Sequence, residues 1–251
     1  MNILAITQAR MGSSRFPRKV IQRIEDKSLL EIHLIRALKS RKISKLIVAT
    51  TIERDSIEIC DICDKLNVSY YRGSTENVLE RFIYASAGEN PDYIVRLTSD
   101  CPLIDPNEID NVIHFAVENN FDYASNTLKP TFPDGLDVEV FKYSALVAAF
   151  ENSKLLSEKE HVTPYIWKNS SFNHKNIFSA GCFSSNIDNS NYRITVDTYE
   201  DFLVIKQLVI LIGYERPWYD YIELIKDNKI ILYNKSDIRN LGYIKSLKFD
   251  D

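Results

Sequence analysis

Small residues and cations crowd the loop that follows the first strand-like run of the chain, a composition typical of phosphate binding. Gly12, Ser13 and Ser14 would let backbone N–H groups and hydroxyls approach an anion closely. Guanidinium forks bind phosphate oxygens through paired hydrogen bonds. The cations of the loop are Arg10, Arg15, Arg18 and Lys19. A solvated basic turn is the alternative, but open α/β sheets bind ligands beyond the carboxyl ends of their strands.

Two aspartates, Asp100 and Asp197, each follow a β-rich run and stand before a predicted helix. Carboxylates are ligands that Mg²⁺ prefers, and the ion usually takes one or two of them beside phosphates and water. Taken singly, each aspartate is better explained as a helix N-cap. Their joint occurrence with the basic loop predicts a magnesium and triphosphate site. Neither G-x-x-x-x-G-K-S/T nor G-x-G-x-x-G is present, so such a site would belong to a different nucleotide-binding fold.

Alternating strands and helices must position these residues in the first half of the chain. Helix starts are indicated by Ser28 with Glu31, by Asp55 with Glu58, and by the N-cap Asp105. The predicted helices begin at residue 28, follow residue 55, and span 76–87 and 106–118. The predicted strands are 2–6, 45–50, 68–71 and 93–97.

The second half of the chain alternates less regularly. Its predicted strands are 122–126, 136–141, 178–183 and 192–196, and its predicted helices are 143–150, 158–167 and 197–212. Residues 218–251 hold a short amphipathic helix and a tail rich in Lys and Asn. These patterns together predict an α/β fold, with a mostly parallel sheet, helices on both faces and a small β insertion.

Charge and hydropathy exclude several classes of protein. A net charge of −4 argues against a general nucleic-acid or anionic-membrane binder. The longest apolar run, 208–213, is too short to cross a bilayer, and the first residues read directly into a strand instead of a signal peptide. We therefore expect a cytoplasmic protein. Cys60 and Cys63 fall within a helical pattern and are interpreted as buried thiols, not as zinc ligands.

Several ordered motifs resemble the spore coat polysaccharide biosynthesis protein F family. That family is similar to the cytidylyltransferases that activate 3-deoxy-manno-octulosonate and the acylneuraminates. The resemblance runs through about residue 212, and 239–247 also looks like the family's C-terminal tail. The matching stretches are 8–20, 48–51, 72–79, 100–105, 132–139, 160–164 and 195–198.

The resemblance implies a nucleotide-diphospho-sugar transferase fold of the GT-A type. The implied reaction transfers CMP from CTP to a sugar acid or a phosphorylated sugar or polyol, releases pyrophosphate and serves cell-surface polysaccharide or capsule biosynthesis. Mg²⁺ is the implied cofactor and a homodimer the implied assembly. Residues 1–212 would form the nucleotidyltransferase domain, with acceptor binding and dimerisation in about 122–190. Residues 213–251 would pack on it as a helix and tail.

Roles for single residues follow from the same resemblance. Lys19 and Arg15 would be catalytic, and Asp100 and Asp197 would hold the metal. The implied nucleotide-binding residues are Ala9, Arg10, Gly12, Ser13, Ser14, Thr50, Arg72, Ser74 and Ser99. Arg18 departs from the family, which usually has Gly there, so its side chain either contacts phosphate or points to solvent.

The acceptor side is less sharply defined by the sequence. Asp134, Asp137, Glu139 and His161 are the candidate acceptor-binding residues. Alternation over 137–140 also fits an ordinary strand with one wet face, and a lone helix histidine is often a packing or capping residue.

Two other functions remain open from the sequence. A glycosyltransferase of the same fold predicts a D-x-D motif, which Ser99-Asp100-Cys101 does not supply. A non-catalytic nucleotide-binding pathway partner would not need Lys19, Asp100 and Asp197 together.

Overall fold

A mixed sheet forms the centre of the computed structural model, which describes residues 1–233 and 239–250. The first strand, β1, buries four consecutive apolar residues from Ile3 to Ile6, as a strand covered on both faces must. The strands are β1 (Ile3–Gln8), β2 (Arg23–Ile24), β3 (Lys27–Ser28), β4 (Lys45–Thr51), β5 (Ser69–Gly73), β6 (Tyr93–Thr98), β7 (Tyr123–Ser125), β8 (Glu139–Lys142) and β9 (Ala180–Cys182).

Seven of these strands make one sheet, in the order β5-β4-β1-β6-β8-β7-β9. β5, β4, β1 and β6 are parallel, whereas β8 is antiparallel to both β6 and β7. β7 pairs in parallel with β9. The predicted α/β class is confirmed, and the predicted β insertion continues the main sheet. β2 and β3 form a separate two-stranded ribbon.

Helices cover both faces of the sheet. Leu34, Ile59 and Ile109 belong to one apolar cluster, and Phe82 and Ile166 belong to another. A third cluster joins the last long helices to each other. The helices are α1 (Leu29–Ala37), α2 (Ile57–Lys65), α3 (Val78–Ala85), α4 (Pro106–Glu118), α5 (Tyr143–Asn152), α6 (Leu156–His161), α7 (Pro164–Lys168), α8 (Tyr199–Ile212), α9 (Trp218–Lys226) and α10 (Leu241–Ser246).

Two of the three predicted helix starts are confirmed. Ser28 and Glu31 form the expected capping box on α1, and the Asp105 carboxylate accepts the Asn107 N–H at 2.9 Å. The caps assigned to Asp55 and Glu58 are wrong. A 3-10 turn precedes α2 there, and the N-cap residues of the turn and of α2 make no side-chain capping hydrogen bond.

The strand predicted over 192–196 is wrong. This segment is extended, but it bonds to loops, since Ile194 N–H donates to Asp134 O at 2.7 Å and Val196 N–H donates to Asp100 O at 2.8 Å. The turn that contains Asp134 comes very close to the segment 192–196. A Cβ on Gly135 would lie 2.6 Å from the Ile194 carbonyl carbon, and the Gly135 φ of 113° also requires glycine.

The helix predicted over 158–167 is interrupted at Val162, where φ is +70° and ψ is −56°. Thr163 N–H donates to His161 O at 2.8 Å, which closes a three-residue γ-turn. Pro164 then begins α7. Because proline restricts the residue before it and lacks an N–H, the chain starts a new helix instead of extending the first.

The predicted burial of Cys60 and Cys63 on a helix is confirmed, and burial raises the pKa of Cys63 to about 12. Within residues 1–233 and 239–250, no cluster of three or more His, Cys, Asp or Glu side chains could hold a metal ion. None of the helices in this described part combines the length and apolarity needed to span a bilayer.

Candidate active site

A cleft of about 680 Å³ opens where β1 and β6 end, and Gln8 and Thr98 line it from those two strands. The loops that follow carry the basic residues and Asp100 into the same cleft. Because parallel strands point their carboxyl ends to one edge of a sheet, residues 90 positions apart meet there. The cleft therefore lies where an open α/β sheet binds ligands.

Lys19 lies at the centre of the most charged part of this cleft. Its Nζ is 3.1 Å from Asp100 Oδ2 and 3.0 Å from Asp197 Oδ1, and it donates to Val196 O at 2.7 Å. Burial favours the neutral amine, but the two carboxylates outweigh burial and raise the pKa of Lys19. One ammonium thus connects the basic loop with both predicted metal ligands.

Asp197 has cations on both of its carboxylate oxygens. Arg15 lies 2.9 Å from Oδ1, and Arg193 lies 2.9 Å from Oδ2. Burial alone would raise the pKa of Asp197, but Lys19 and these arginines lower it to about 2. Neither Asp197 nor Asp100 caps a helix. Thr198 caps α8 instead, through a capping box with Asp201.

The donor chemistry at Asp100 and Asp197 fits a magnesium ion bound together with a nucleotide. The two aspartates offer hard carboxylate oxygens, and their side chains are 31% and 22% exposed. Two protein carboxylates are the number that Mg²⁺ usually takes when phosphates and water supply its other ligands.

The structure divides the predicted nucleotide-binding residues into two groups. Ala9, Arg10, Ser13, Ser14 and Ser99 line the cleft together with Arg15 and Lys19. Outside that lining lie Gly12, Thr50, Arg72 and Ser74.

The residues outside the cleft are used elsewhere. Arg72 donates to the carbonyls of Ile52 and Glu53 at 2.8 and 3.1 Å. Ser74 Oγ accepts the Asn77 N–H at 3.1 Å, which orders the turn before α3. The Thr50 side chain is buried in the sheet. Arg72 and Ser74 thus shape the loop beside the cleft.

Arg18 occupies a left-handed backbone conformation, with φ of 60° and ψ of 22°. Glycine adopts this region without steric cost, which gives a physical reason for the glycine usual in the family. The Arg18 guanidinium lies 2.5 Å from Glu58 Oε1 on α2, and it is not among the residues lining the cleft. Its charge is therefore directed to the protein surface.

All four predicted acceptor residues line the cleft, but the three acids are already held by arginines. Glu139 forms an ion pair with Arg96, and it also accepts hydrogen bonds from Tyr123 Oη and Thr163 Oγ1, each at 2.5 Å. This carboxylate has a partner on each oxygen, so it acts first as a fixed part of the cleft wall.

Asp134 and Asp137 are held in the same way. Asp134 pairs with Arg193, and Asp137 lies 2.5 Å from Arg239 Nη2. Burial and the Asp137 carboxylate raise the pKa of Asp134 to about 7, and they outweigh the opposite effect of the two arginines. Burial likewise raises the pKa of Asp137. The floor of the cleft therefore contains an acid that titrates near neutrality.

His161 faces the cleft from the γ-turn between α6 and α7. Its Nε2 is buried and has no hydrogen-bond partner among the described residues, and its ring meets Tyr243 edge-on at 5.3 Å. Burial, with the cations Arg96 and Arg10, lowers the pKa of His161 to about 4. The imidazole is therefore neutral at physiological pH.

Sequence reasoning missed several residues of this cleft. Arg193 could have been found from its position four residues before Asp197, and Arg239 lies in the tail stretch that carries the resemblance. Gln8 and Thr163 likewise lie in stretches that carry the resemblance. No sequence signal singled out Tyr123, Arg81 or Arg96, and an arginine in a helix or a strand is most often a surface residue. The missed residues are Gln8, Arg81, Arg96, Tyr123 and Thr163 in the lining, and Arg193 and Arg239, which pair with acids of the lining.

The family to which this chain belongs follows from comparison with known proteins. A family model described as cytidylyltransferase matches residues 4–238. The chain is therefore a member of the cytidylyltransferase family, and the predicted family and the class of CTP-dependent nucleotidyltransferases are confirmed.

Similar proteins agree with this assignment. The chain is 34% identical to the spore coat polysaccharide biosynthesis protein SpsF of Bacillus subtilis over 89% of its length and 92% of that protein. It is 39% identical to an uncharacterized protein of Methanocaldococcus jannaschii over 83% of each chain.

A solved cytidylyltransferase structure from Leptospira borgpetersenii has a TM-score of 0.87 and 32% identity, covering 95% of this chain and 99% of that one. A CMP:2-keto-3-deoxy-manno-octonic acid synthetase, solved with CTP, shares the fold with a TM-score of 0.63 at 14% identity, covering 84% of this chain and 99% of that one.

Proposed function

We propose that this protein transfers CMP from CTP to a small anionic acceptor, a sugar acid or a phosphorylated sugar or polyol, with release of pyrophosphate. The observation that carries the proposal is the contact of Lys19 Nζ with both Asp100 and Asp197 at the end of the basic loop. This arrangement places the Lys19 ammonium beside both predicted metal ligands, where a bound triphosphate and its magnesium ion would come together. SpsF, whose name refers to spore coat polysaccharide biosynthesis, supports a role in making cell-surface polysaccharide or capsule.

Lys19 and Arg15 would stabilise the transition state at the α-phosphate. When the acceptor oxygen attacks phosphorus, negative charge grows on the non-bridging oxygens, and fixed cations lower the barrier because they need no reorganisation. The loop residues Arg10, Ser13 and Ser14 would hold the β- and γ-phosphates that leave as pyrophosphate. Ala9 and Ser99, which also line the cleft, would contact the nucleotide.

Asp100 and Asp197 would hold one Mg²⁺ ion in this proposal. The bound ion supplies neutralisation of phosphate charge and orientation of the triphosphate. Arg193 and Arg15 keep Asp197 in place and ionised, since they contact its two oxygens from opposite sides.

The acceptor would be bound by Asp134, Asp137, Glu139 and His161, which all lie in the predicted acceptor-binding part at about 122–190. Their acids already carry arginine partners, so their remaining lone pairs suit the hydroxyl groups of a sugar or polyol better than its anionic group. The neutral His161 has an unused ring nitrogen for the same purpose.

The decisive assay measures pyrophosphate release from CTP and Mg²⁺ across sugar acids, sugar phosphates and polyol phosphates. We expect release with one acceptor class and none without acceptor. Protein that binds CTP but releases pyrophosphate with no acceptor on the panel would contradict the proposal. An Asp100→Asn variant that binds CTP yet turns over at full rate would contradict the metal assignment.

We also propose a cytoplasmic homodimer with a nucleotidyltransferase domain at 1–212 and a tail at 213–251 packed on it. In the third apolar cluster, Tyr221 and Ile222 of α9 pack with Ile205 and Leu208 of α8. Light scattering coupled to sizing chromatography should give twice the chain mass of 29.0 kDa. A single species at the chain mass would contradict the dimer.

A further inference from the structure

Arg81 on α3 is buried in an unusual way for a charged side chain. It is 1% exposed, lines the cleft, and has an Nε that finds no hydrogen-bond partner among the described residues. Its Nη1 donates to the carbonyls of Ser74 and Thr75 at 2.6 and 3.3 Å. Within residues 1–233 and 239–250, it forms no ion pair with a carboxylate.

Arg36 shows what a structural buried arginine looks like in the same protein. It is 2% exposed, lies 3.8 Å from the Asp105 carboxylate, and donates from Nε to Ile104 O at 2.7 Å. Its guanidinium also lies 5.8 Å from the centre of the Tyr221 ring. Arg36 therefore has a carboxylate near its guanidinium, although its Nη2 makes no hydrogen bond, whereas no described carboxylate pairs with Arg81.

Burying a cation without an acid is costly unless a ligand supplies its partner. Burial and the neighbouring Arg10 lower the pKa of Arg81 to about 10, because no ion pair with a described carboxylate offsets their effect. The carbonyls of Ser74 and Thr75 hold one end of the guanidinium, so the fork is oriented before any ligand arrives. Arg81 is therefore prepared for an acceptor atom of a ligand in the cleft.

Gln8 is another side chain of the cleft lining with a buried polar atom that has no hydrogen-bond partner among the described residues. Its Oε1 is buried and unpartnered, and it lines the cleft from the last residue of β1. An amide oxygen repels phosphate but accepts readily from an amino group. A donor on Arg81 and an acceptor on Gln8 therefore match a ligand that offers both an acceptor and a donor.

We propose that Arg81 and Gln8 read the base of CTP, with the guanidinium donating to N3 of cytosine and the amide oxygen accepting from its 4-amino group. This inference rests on the proposed use of CTP, and it names the residues that would set the choice of base. Val78, one turn before Arg81 on α3, adds apolar lining to the cleft.

Uracil offers the opposite pattern at these positions, an N3–H donor and an O4 acceptor in place of the cytosine N3 acceptor and amino donor. Its N3–H would face the Arg81 donor, and its O4 would face the Gln8 oxygen. A site built to bond one pattern rejects the other because its buried polar groups would be left unpaired.

The test compares the binding of CTP and of UTP, each with Mg²⁺, by calorimetry in the full chain and in the variants Arg81→Met and Gln8→Leu. We expect each variant to bind CTP at least about tenfold more weakly, while UTP binding changes less than about threefold. Gln8→Leu is a second variant in case Arg81→Met does not fold, because the Gln8 side chain makes no hydrogen bond with the described residues that the change would remove.

Arg36→Met is the matched control for removing a buried guanidinium. It should lower the melting temperature and leave the ratio of CTP to UTP affinity unchanged. Arg81→Met should lower the melting temperature less than Arg36→Met, because it loses the bonds to Ser74 and Thr75 but removes a buried charge that has no acid partner among the described residues.

The other outcomes separate this inference from the proposed function. Equal losses for CTP and UTP in Arg81→Met would overturn base reading and assign Arg81 to the phosphates or ribose. Variants that keep the CTP preference of the unchanged chain would also overturn it. A chain that binds neither nucleotide would instead contradict the proposed function.

Discussion

The two ends of the cleft handle charge differently. At the proposed phosphate end, the cations Arg10, Arg15 and Lys19, together with Arg81 at the proposed base site beside them, outnumber the aspartates Asp100 and Asp197, even with Glu160 placed 3.5 Å from Arg10. At the proposed acceptor end, each acid has an arginine partner, and Arg193 also contacts Asp197 and Asp201. Those pairs are Asp134 with Arg193, Asp137 with Arg239, and Glu139 with Arg96.

The phosphate end therefore has a surplus of positive charge that an anionic ligand can balance. The acids of the acceptor end already have arginine partners, and together they form a neutral frame. A surplus of fixed positive charge attracts and orients a polyanion such as a nucleoside triphosphate. A neutral frame binds hydroxyl groups through lone pairs and N–H groups that remain free. Substitutions at the first end should therefore change catalysis, and those at the second should change acceptor affinity and stability.

Replacing Lys19 by Met should have the largest effect. The change removes the cation that we propose to stabilise the α-phosphate, and it leaves two carboxylates unshielded. We therefore expect kcat for pyrophosphate release to fall about a thousandfold. Lys39→Met is the matched control, since Lys39 pairs with Glu215 at the surface. A Lys19→Met enzyme within tenfold of full activity would show that the phosphate end does not depend on this charge.

Replacing Asp100 by Asn should come next. The amide keeps the shape but loses the charge, and we expect turnover to fall about a hundredfold while half-maximal activity needs more Mg²⁺. Asp188→Asn, at an exposed turn, is the control. Unchanged dependence on Mg²⁺ would argue that Asp100 serves only to hold Lys19.

Replacing Glu139 by Gln tests the neutral frame. Tyr123 and Thr163 already share Oε2, so an amide oxygen placed there turns its NH2 group toward Arg96, which loses its ion pair. We therefore expect a loss of about 1–3 kcal/mol in unfolding free energy. The KM for acceptor should rise while the KM for CTP stays constant. If both KM values rise together, the two ends are not separate.

The pH dependence of stability tests Asp134. Its pKa is about 7 in the folded chain against an ordinary value of 3.8, so its contribution to stability is present below pH 3.8 and is lost as pH rises through about 7. Relative to Asp134→Asn, the unchanged chain should lose about 1–3 kcal/mol between about pH 5 and pH 8. Chemical denaturation at a series of pH values measures this, and parallel curves would refute it.

Replacing Arg18 by Gly should have the smallest effect. Relief of the left-handed backbone offsets the lost surface pair with Glu58, so we expect stability to change by less than about 0.5 kcal/mol. CTP affinity should stay unchanged, because Arg18 does not face the cleft. Weaker CTP binding in this variant would show that the surplus charge extends beyond the cleft itself.

The phosphate end was largely predictable because each of its parts lies at a strand end. A small-residue loop after β1 and an aspartate after β6 are local patterns, and parallel topology alone brings them together. Asp197 was found for the same reason, although the strand expected before it is an extended segment bonded to loops. Alternating apolar residues cannot distinguish a paired strand from such a segment.

The acceptor end was predictable in its residues but not in its chemistry. Asp134, Asp137 and Glu139 were placed correctly in the cleft, yet nothing in their neighbourhood along the chain names Arg193, Arg239 or Arg96 as partners. An ion pair between residues 102 positions apart, as for Arg239 and Asp137, depends on the complete tertiary fold. For the same reason the sequence did not distinguish the unpaired Arg81 from the paired Arg36.

The γ-turn at Val162 makes two contacts of the acceptor end interdependent. A β-branched residue at positive φ costs about 1–3 kcal/mol, so the turn persists only while its flanks hold it. His161 lies on one side, against Tyr243, and Thr163 lies on the other, bonded to Glu139. Loss of either contact therefore removes part of what holds the strained backbone of Val162, and so weakens the placement of the residue on the other side of the turn.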